Sequence, residues 1–184
     1  MKNQADDQRR RVIVLDTSAF LAGFDPFSLS EEQATVPKVE EEIRRNSIMC
    51  TRFKTAIENG KLKVRAPRPE FLNIVNVLAT KLGDSYLLSE ADTQLLALAL
   101  ELKAEGYSPQ IVTDDYSIQN VATQMGIEFL ALVTFGIKRL LEWVRYCPAC
   151  HREYSANLSS KVCLVCGTKL KRKPRRTVKN VKVR

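Results

Sequence analysis

Two C-x₂-C pairs, Cys147-Pro-Ala-Cys150 and Cys163-Leu-Val-Cys166, stand twelve residues apart in the last quarter of this 184-residue chain. Each pair can grip one ion from a tight knuckle, and four thiolates complete a tetrahedron, so the spacing suits Zn²⁺. Four protein ligands leave no coordination position open, which makes such a site structural. Residues 143–170 hold too little apolar surface for a core of their own, so the metal would organise them. Two disulfides are the alternative, and they need an oxidising compartment. The opening MKNQADDQRRR has no apolar segment of the secretory kind, and no run of eighteen apolar residues occurs, so a cytoplasmic location without membrane insertion is expected. The leftover Cys50 fits reduced thiols, and His151, beside four sufficient ligands, reads as a surface residue.

Carboxylates form the second set. Asp16 directly follows the apolar run Val12-Ile13-Val14-Leu15, and Asp114 and Asp115 follow Ile111-Val112-Thr113. Short continuous apolar runs mark buried parallel strands, and a carboxylate at the tip of one stands beyond the sheet. Either aspartate alone could merely cap the next helix or turn. Asp92 weakens that account: it lies three, four and seven residues before Leu95, Leu96 and Ala99, on the stripe that turns toward the sheet. A lone charge there is costly. Ser89-Glu90-Ala91-Asp92 also has the form of a capping box, partly compatible with a second role, whereas Glu90 is offset from the stripe and faces solvent. In Glu40-Glu41-Glu42, Glu41 points farthest from the buried row of Val39 and Ile43, and periodicity does not choose between Glu40 and Glu42. Hard oxygens from several elements suit Mg²⁺ or Mn²⁺, which keep waters in their shells and bridge phosphate oxygens. The sole histidine lies in the cysteine module, which excludes acid–base catalysis by a histidine pair.

The elements that must position these groups alternate. After the strand at 12–15, Thr35-Val36-Pro37 opens a helix through about residue 45, with proline near its first turn. A helix at 50–58 stops at Asn59-Gly60; then come a strand at 62–65, a helix at 69–82 and a helix at 90–104 ended by Gly106. A strand at 111–113, a helix at 116–125 closed by Gly126, a strand at 127–130 and a helix over 132–142 complete the order. Alternation of this kind implies an α/β fold with a mostly parallel sheet covered on both faces. Chemistry in such folds gathers beyond the carboxyl ends of the strands, where the acids fall.

Length and a 45% hydrophobic composition allow one domain of about 130–140 residues plus the small metal module. The net charge of +8 is unevenly spread: residues 169–184 hold nine Lys or Arg and no acid, so residues 1–168 sum to 20 − 21 = −1. The end KLKRKPRRTVKNVKVR reads as polyanion-binding, with Lys169, Lys171, Arg172, Lys173, Arg175 and Arg176 as candidate contacts to RNA. A solvated tail without a partner is the plainer account, and no amphipathic stripe or lipidation signal favours a membrane surface.

Strand-Asp16-Thr-Ser, Thr-Val-Pro-x-Val-x-x-Glu42, Leu-Ser-x-x-Asp92-x-x-x-Leu-Ala-Leu-Ala and Ile-Val-Thr-Asp-Asp115 occur in the order that resembles the PIN-domain nucleases. With the cysteine ribbon behind them and Gln119-Asn120-Val121-Ala122, they are similar to the Nob family, endonucleases that trim the 3′ end of small-subunit ribosomal RNA. The resemblance spans roughly residues 11–170 and matches the compact archaeal form in length. It implies a PIN-like (Rossmann-like) nuclease domain over 1–144 with its ordered core at about 11–142, a zinc ribbon over 145–170 and a basic tail over 171–184. It also implies metal-binding roles for Asp16, Glu42, Asp92 and Asp115, selecting Glu42 over Glu40, and hydroxyl partners in Ser18 or Thr113. The doubled acid leaves Asp114 or Asp115 as the last ligand, with Asp115 favoured. The implied activity is metal-dependent hydrolysis of precursor small-subunit (16S-type) rRNA leaving a 5′-phosphate and a 3′-hydroxyl, with the small ribosomal subunit as partner. Rival expectations are a toxin-type PIN ribonuclease acting on tRNA or mRNA and a non-catalytic RNA-binding assembly factor. A haloacid-dehalogenase-type phosphatase ranks last, because Ser18 stands where its second acid belongs.

Overall fold

Five strands, β1 (Arg11–Leu15), β2 (Glu32–Thr35), β3 (Leu62–Val64), β4 (Ser108–Val112) and β5 (Glu128–Leu130), form one sheet in the order β3-β2-β1-β4-β5 with every pair parallel. The computed structural model describes residues 9–45, 47–82, 88–133, 139–156 and 158–180, without the side chains of 47–48, 139–142 and 174–180. Val12, Ile13, Val14 and Leu15 are all buried, as a central strand covered on both faces requires. The chain moves outward from β1 to β2 and β3, then returns to β1's other side at β4. The strand order therefore switches direction between β1 and β4, and a crevice at their carboxyl ends follows from that topology.

Helices α1 (Thr17–Leu21), α2 (Pro37–Arg44), α3 (Ser47–Glu58), α4 (Pro69–Leu82), α5 (Glu90–Ala104) and α6 (Tyr116–Gln124) surround the sheet. α4 and α5 keep the bounds expected from periodicity. β2 and α1 carry no such signal. Glu-Gln-Ala-Thr is not an apolar run, and its buried polar groups depend on tertiary partners: Gln33 Nε2 donates to the Pro26 carbonyl at 2.7 Å and Thr35 Oγ1 to the Leu15 carbonyl at 2.7 Å. Thr35 thus ends a strand instead of opening a helix, and α2 starts at Pro37. The helix expected over 132–142 is corrected where the chain is described, because residues from Arg139 onward are β-strand; 134–138 lie outside the described residues.

α5 is the central helix. It buries Leu95, Leu96, Leu98, Ala99 and Leu102 on more than one face and packs on β1, β4, α2 and α4. Each fully buried leucine contributes about 1.5–3 kcal/mol. Two polar ties fix its C-terminal half. Lys103 Nζ donates to the carbonyls of Met125 and Gly126 at 2.9 and 2.8 Å, closing the end of α6 where Gly126 takes φ +63°. A Cβ on Gly126 would meet that ammonium at 3.2 Å. Glu101, only 2% exposed, accepts from Arg65, from the Arg68 backbone N–H at 2.8 Å and from Arg68 Nε at 3.1 Å. None of the described helices is long and apolar enough to cross a membrane.

A second sheet of three antiparallel strands, β6 (Arg139–Tyr146), β7 (Glu153–Tyr154) and β8 (Lys171–Asn180), has the order β7-β6-β8. The basic segment from 171 to 180 is therefore a strand paired along β6, so this sheet joins residues from both sides of the cysteine module. From residue 143 onward Cys147 and Cys163 are the only buried apolar side chains among the described residues, so no apolar core holds this part together.

Burial raises the Glu101 carboxyl, and the hydrogen bonds from Arg68 and Arg65 outweigh it, leaving the group below the ordinary value of 4.5. A depressed native value stabilises the fold above the ordinary value and loses that contribution as pH falls through the native one. Glu101→Gln should cost about 1–3 kcal/mol at pH 7. Melting curves of wild type and variant should converge as pH drops below 4.5; a deficit constant with pH would contradict the assignment.

Candidate active site

Asp16 is the most constrained acid. It follows β1 and continues the ladder by donating its N–H to the Val112 carbonyl at 3.2 Å. Its buried carboxylate caps α1 through the Thr17 N–H at 2.7 Å, and it receives the hydroxyls of Ser18 at 2.6 Å and Thr113 at 2.9 Å. Each hydroxyl gives its one proton to Asp16 and accepts from a backbone amide: Asp114 N–H to Ser18 at 3.1 Å, Asp115 N–H to Thr113 at 3.1 Å. The two bridges lace the tip of β1 to the tip of β4. Burial pushes the Asp16 carboxyl upward, and the hydrogen bonds from Ser18, Thr113 and Thr17 pull against that push without overcoming it.

The doubled aspartate divides its work. Asp114 Oδ1 accepts from the amides of Leu132 and Val133, both at 3.0 Å, and so ties down the turn after β5. Asp115 caps α6, accepting from Ser117 N–H at 2.6 Å, and is exposed. Asp92 forms the expected capping box of α5 with Ser89, its carboxylate accepting from Ser89 N–H at 2.7 Å. Burial pushes its carboxyl above the ordinary range, and the negative charges of Asp16 and Asp115 add to that push. Asp16 and Asp115 thus stand beyond the carboxyl ends of β1 and β4 within electrostatic reach of Asp92. Three glutamates of α2 have separate partners: Glu40 pairs with Arg44 at 2.7 Å and Glu41 with Lys38 at 3.1 Å, whereas Glu42 Oε2 accepts the Thr17 hydroxyl at 2.5 Å. Of the three, Glu42 is the one linked to the Asp16 loop.

Thr17 and Gln119 have roles that residue patterns did not single out. Thr17 steers Glu42, and its place in Asp-Thr-Ser, a run of three short polar side chains after a buried strand, is the available signal. Buried Gln119 donates from Nε2 to the Thr113 carbonyl at 3.1 Å, holding the end of β4 from one turn into α6. The cluster offers hard anionic oxygens from four elements, a donor set that fits a divalent cation retaining part of its hydration shell.

In the second sheet, Cys147, Cys150, Cys163 and Cys166 bring their Sγ atoms within 4.8 Å of one another, the one group of at least three such ligands gathered so closely among the described residues. All are free thiols; the cross-knuckle pairs Cys147–Cys166 and Cys150–Cys163 lie at 3.3 and 3.5 Å, beyond a disulfide bond. The two knuckles repeat one geometry. His151 N–H donates to Cys147 O and Gly167 N–H to Cys163 O, each at 2.9 Å, and both residues take positive φ, 57° and 70°. His151 is exposed and plays the backbone part that glycine plays in its counterpart, outside the ligand group. The Tyr154 hydroxyl, 3.0 Å from Cys163 Sγ, is the main cause that lowers that thiol to about 6. Four soft donors of this kind fit a tetrahedral metal ion.

Lys169 and Lys171 are exposed at the start of the basic segment. Arg172 lies over the Trp143 ring, 4.7 Å from its centroid, and Lys173 pairs with Glu153 at 2.6 Å. The side chains of Arg175 and Arg176 lie outside the described residues.

A family model described as the PIN domain of ribonuclease matches residues 13–102, and the parallel α/β sheet with acids at the tips of its switch-point strands agrees with that class. The chain is 40% identical over 164 residues to Endoribonuclease Nob1 of Pyrococcus abyssi, covering 89% of this chain and 94% of that one. It is 36% identical over 163 residues to Endoribonuclease Nob1 of Methanothermobacter thermautotrophicus, with 89% and 93% covered. Ribonuclease VapC1 of Thermoplasma acidophilum shares 35% over 162 residues, 88% of this chain and 77% of that one. The chain belongs to the Nob1 family of PIN-domain endoribonucleases.

A carboxyl raised above its ordinary value of 3.8 in the fold destabilises the native state once it ionises. Asp92→Asn keeps an acceptor for the Ser89 amide and removes the charge that Asp16 and Asp115 repel. In chelator at pH 7 the variant should melt above wild type, and the gap should close as pH falls below 3.8. A variant that melts lower at neutral pH would contradict a net cost of ionising Asp92 in the fold.

Proposed function

We propose that this endoribonuclease cuts precursor small-subunit (16S-type) rRNA at its 3′ end in the cytoplasm, leaving a 5′-phosphate and a 3′-hydroxyl. What supports this is that Asp16 and Asp115 follow the central strands β1 and β4, that the charge of both reaches Asp92, and that Glu42 is hydrogen-bonded to Thr17 beside Asp16. Asp16, Glu42, Asp92 and Asp115 would hold Mg²⁺ or Mn²⁺. Asp115 is chosen over Asp114 because its charge is the one that reaches Asp92, whereas Asp114 Oδ1 holds the turn after β5. When bound, the ion neutralises phosphate oxygens and lowers the pKa of an attacking water. The chain's own part is positional. Ser18 and Thr113 stop Asp16 from swinging out, the capping box holds Asp92, and the α6 cap aims Asp115.

The choice of rRNA follows from the motifs shared with 3′-end-trimming nucleases and is supported by the second sheet. Cys147, Cys150, Cys163 and Cys166 would hold structural Zn²⁺ in a ribbon over 145–170, and the basic segment 171–184 would grip RNA phosphates beside the nuclease domain of 1–144. Lys169, Lys171, Arg172, Lys173, Arg175 and Arg176 are the contacts assigned to RNA. Because 171–180 pairs with β6, deleting it would dismantle the sheet, and charge neutralisation is the cleaner probe.

Labelled precursor 3′-end RNA should be cut by wild type with Mn²⁺ or Mg²⁺ and not in chelator. Asp16→Asn should lose about 100-fold or more, because even outer partners of a metal site are worth about 10–100-fold. Retained cutting by the variant, or a preference for tRNA or mRNA, would overturn the reading. Lys169→Gln with Lys171→Gln should flatten the log–log salt dependence of binding by about 0.7 per lysine. An unchanged slope would remove these lysines from the interface.

A further inference from the structure

Asp115 is followed at once by Tyr116, the first residue of α6, a residue 52% exposed. Its backbone is fixed from several sides. Asp115 caps the helix through Ser117 N–H, the Gln119 N–H donates to Asp115 O at 3.0 Å, and the Gln119 side chain holds Thr113 O. The turn that Asp114 fastens presents two more apolar side chains to solvent, Leu132 at 39% and Val133 at 75%. Two amides tied to one carboxylate oxygen keep that turn, and its exposed leucine and valine, in place. Asp114, Asp115 and Tyr116 thus join, in three consecutive residues, the fastened apolar turn, the proposed carboxylate site and a half-exposed tyrosine.

The occupant follows from the charges. A rim of acids repels the sugar–phosphate backbone of a single strand except where a cation intervenes, whereas a nucleobase is neutral and has a π-face that any aromatic ring can meet. We infer that Tyr116 stacks on an unpaired RNA base next to the scissile phosphate, with Leu132 and Val133 forming the apolar edge of the same shelf. This rests on the carboxylate cluster being the cutting site. Tyr116 is a positioning residue: it sets which nucleotide lies beside the acids and contributes no group to the reaction.

The test first maps the cut in a single-stranded precursor 3′-end oligonucleotide, then places one abasic nucleotide on either side of it. With wild type, the abasic change at one of the two flanking positions should raise KM about five- to hundredfold. Tyr116→Ala should raise KM on the intact strand by a similar factor and be indifferent to the missing base. Tyr116→Phe, which keeps the ring, should match wild type. Abasic strands handled like intact ones by wild type, or losses from Tyr116→Ala and the missing base that multiply, would overturn the stacking. Asp115→Asn, run alongside, separates the two readings: if it cuts normally the cluster reading falls and the shelf with it, and if it fails while Tyr116→Ala is silent the shelf alone falls.

Discussion

The carboxylate of Asp92, half-buried at the start of α5, is held against its own desolvation and against the charges of Asp16 and Asp115, and the local structure answers that cost. Each of the three also stands at a helix start: Asp16 caps α1, Asp92 completes the capping box of α5, and Asp115 caps α6. Capping satisfies backbone N–H groups that would otherwise be orphaned, and the positive end of each helix dipole offsets negative charge. The alternatives of cap and ligand are thus two uses of one arrangement. The remaining charge density is what a divalent cation would neutralise.

Holding acids together requires rigid supports, and the fold supplies them from its best-buried parts. β1 and β4 are neighbours at the centre of the sheet, and α5 lies across them with apolar side chains turned inward on several sides. Glu101 and Lys103 tie that helix to the loop before α4 and to the end of α6. Asp92 and Asp115 start helices whose other ends are anchored in this way, so their positions are set along whole elements. The second sheet is organised differently. Among its described residues two cysteines are the buried apolar side chains, and four sulfurs close enough to share one ion could supply the tie that an apolar cluster does not.

Periodicity made α4 and α5 legible because their apolar residues recur at helical spacing, and β1 because four buried residues stand in a row. It missed β2, whose buried Gln33 and Thr35 are polar and make sense only beside Pro26 and Leu15. It misread the stretch entering β6, because Arg139, Glu142 and Arg145 stand three apart with apolar pairs between them, a helix-like spacing, and the strand that pairs with it, Lys171–Asn180, lies far along the chain. Asp16, Asp92 and Asp115 could be picked out from strand tips and an apolar stripe. Glu42 could not be separated from Glu40 by pattern alone, since the deciding contact is with Thr17, twenty-five residues away. The separate duties of Asp114 and Asp115 likewise depend on a turn that only the fold brings near.

Asp16, Glu42, Asp92 and Asp115 are proposed to form one divalent-cation site distinct from the cysteine cluster. Mn²⁺ titration of zinc-loaded protein, followed by electron paramagnetic resonance of the free ion, tests it directly. Wild type should take up Mn²⁺, and Asp16→Asn and Asp115→Asn should each weaken that uptake by at least about tenfold while keeping their zinc. Equal Mn²⁺ uptake by wild type and both variants would contradict the account.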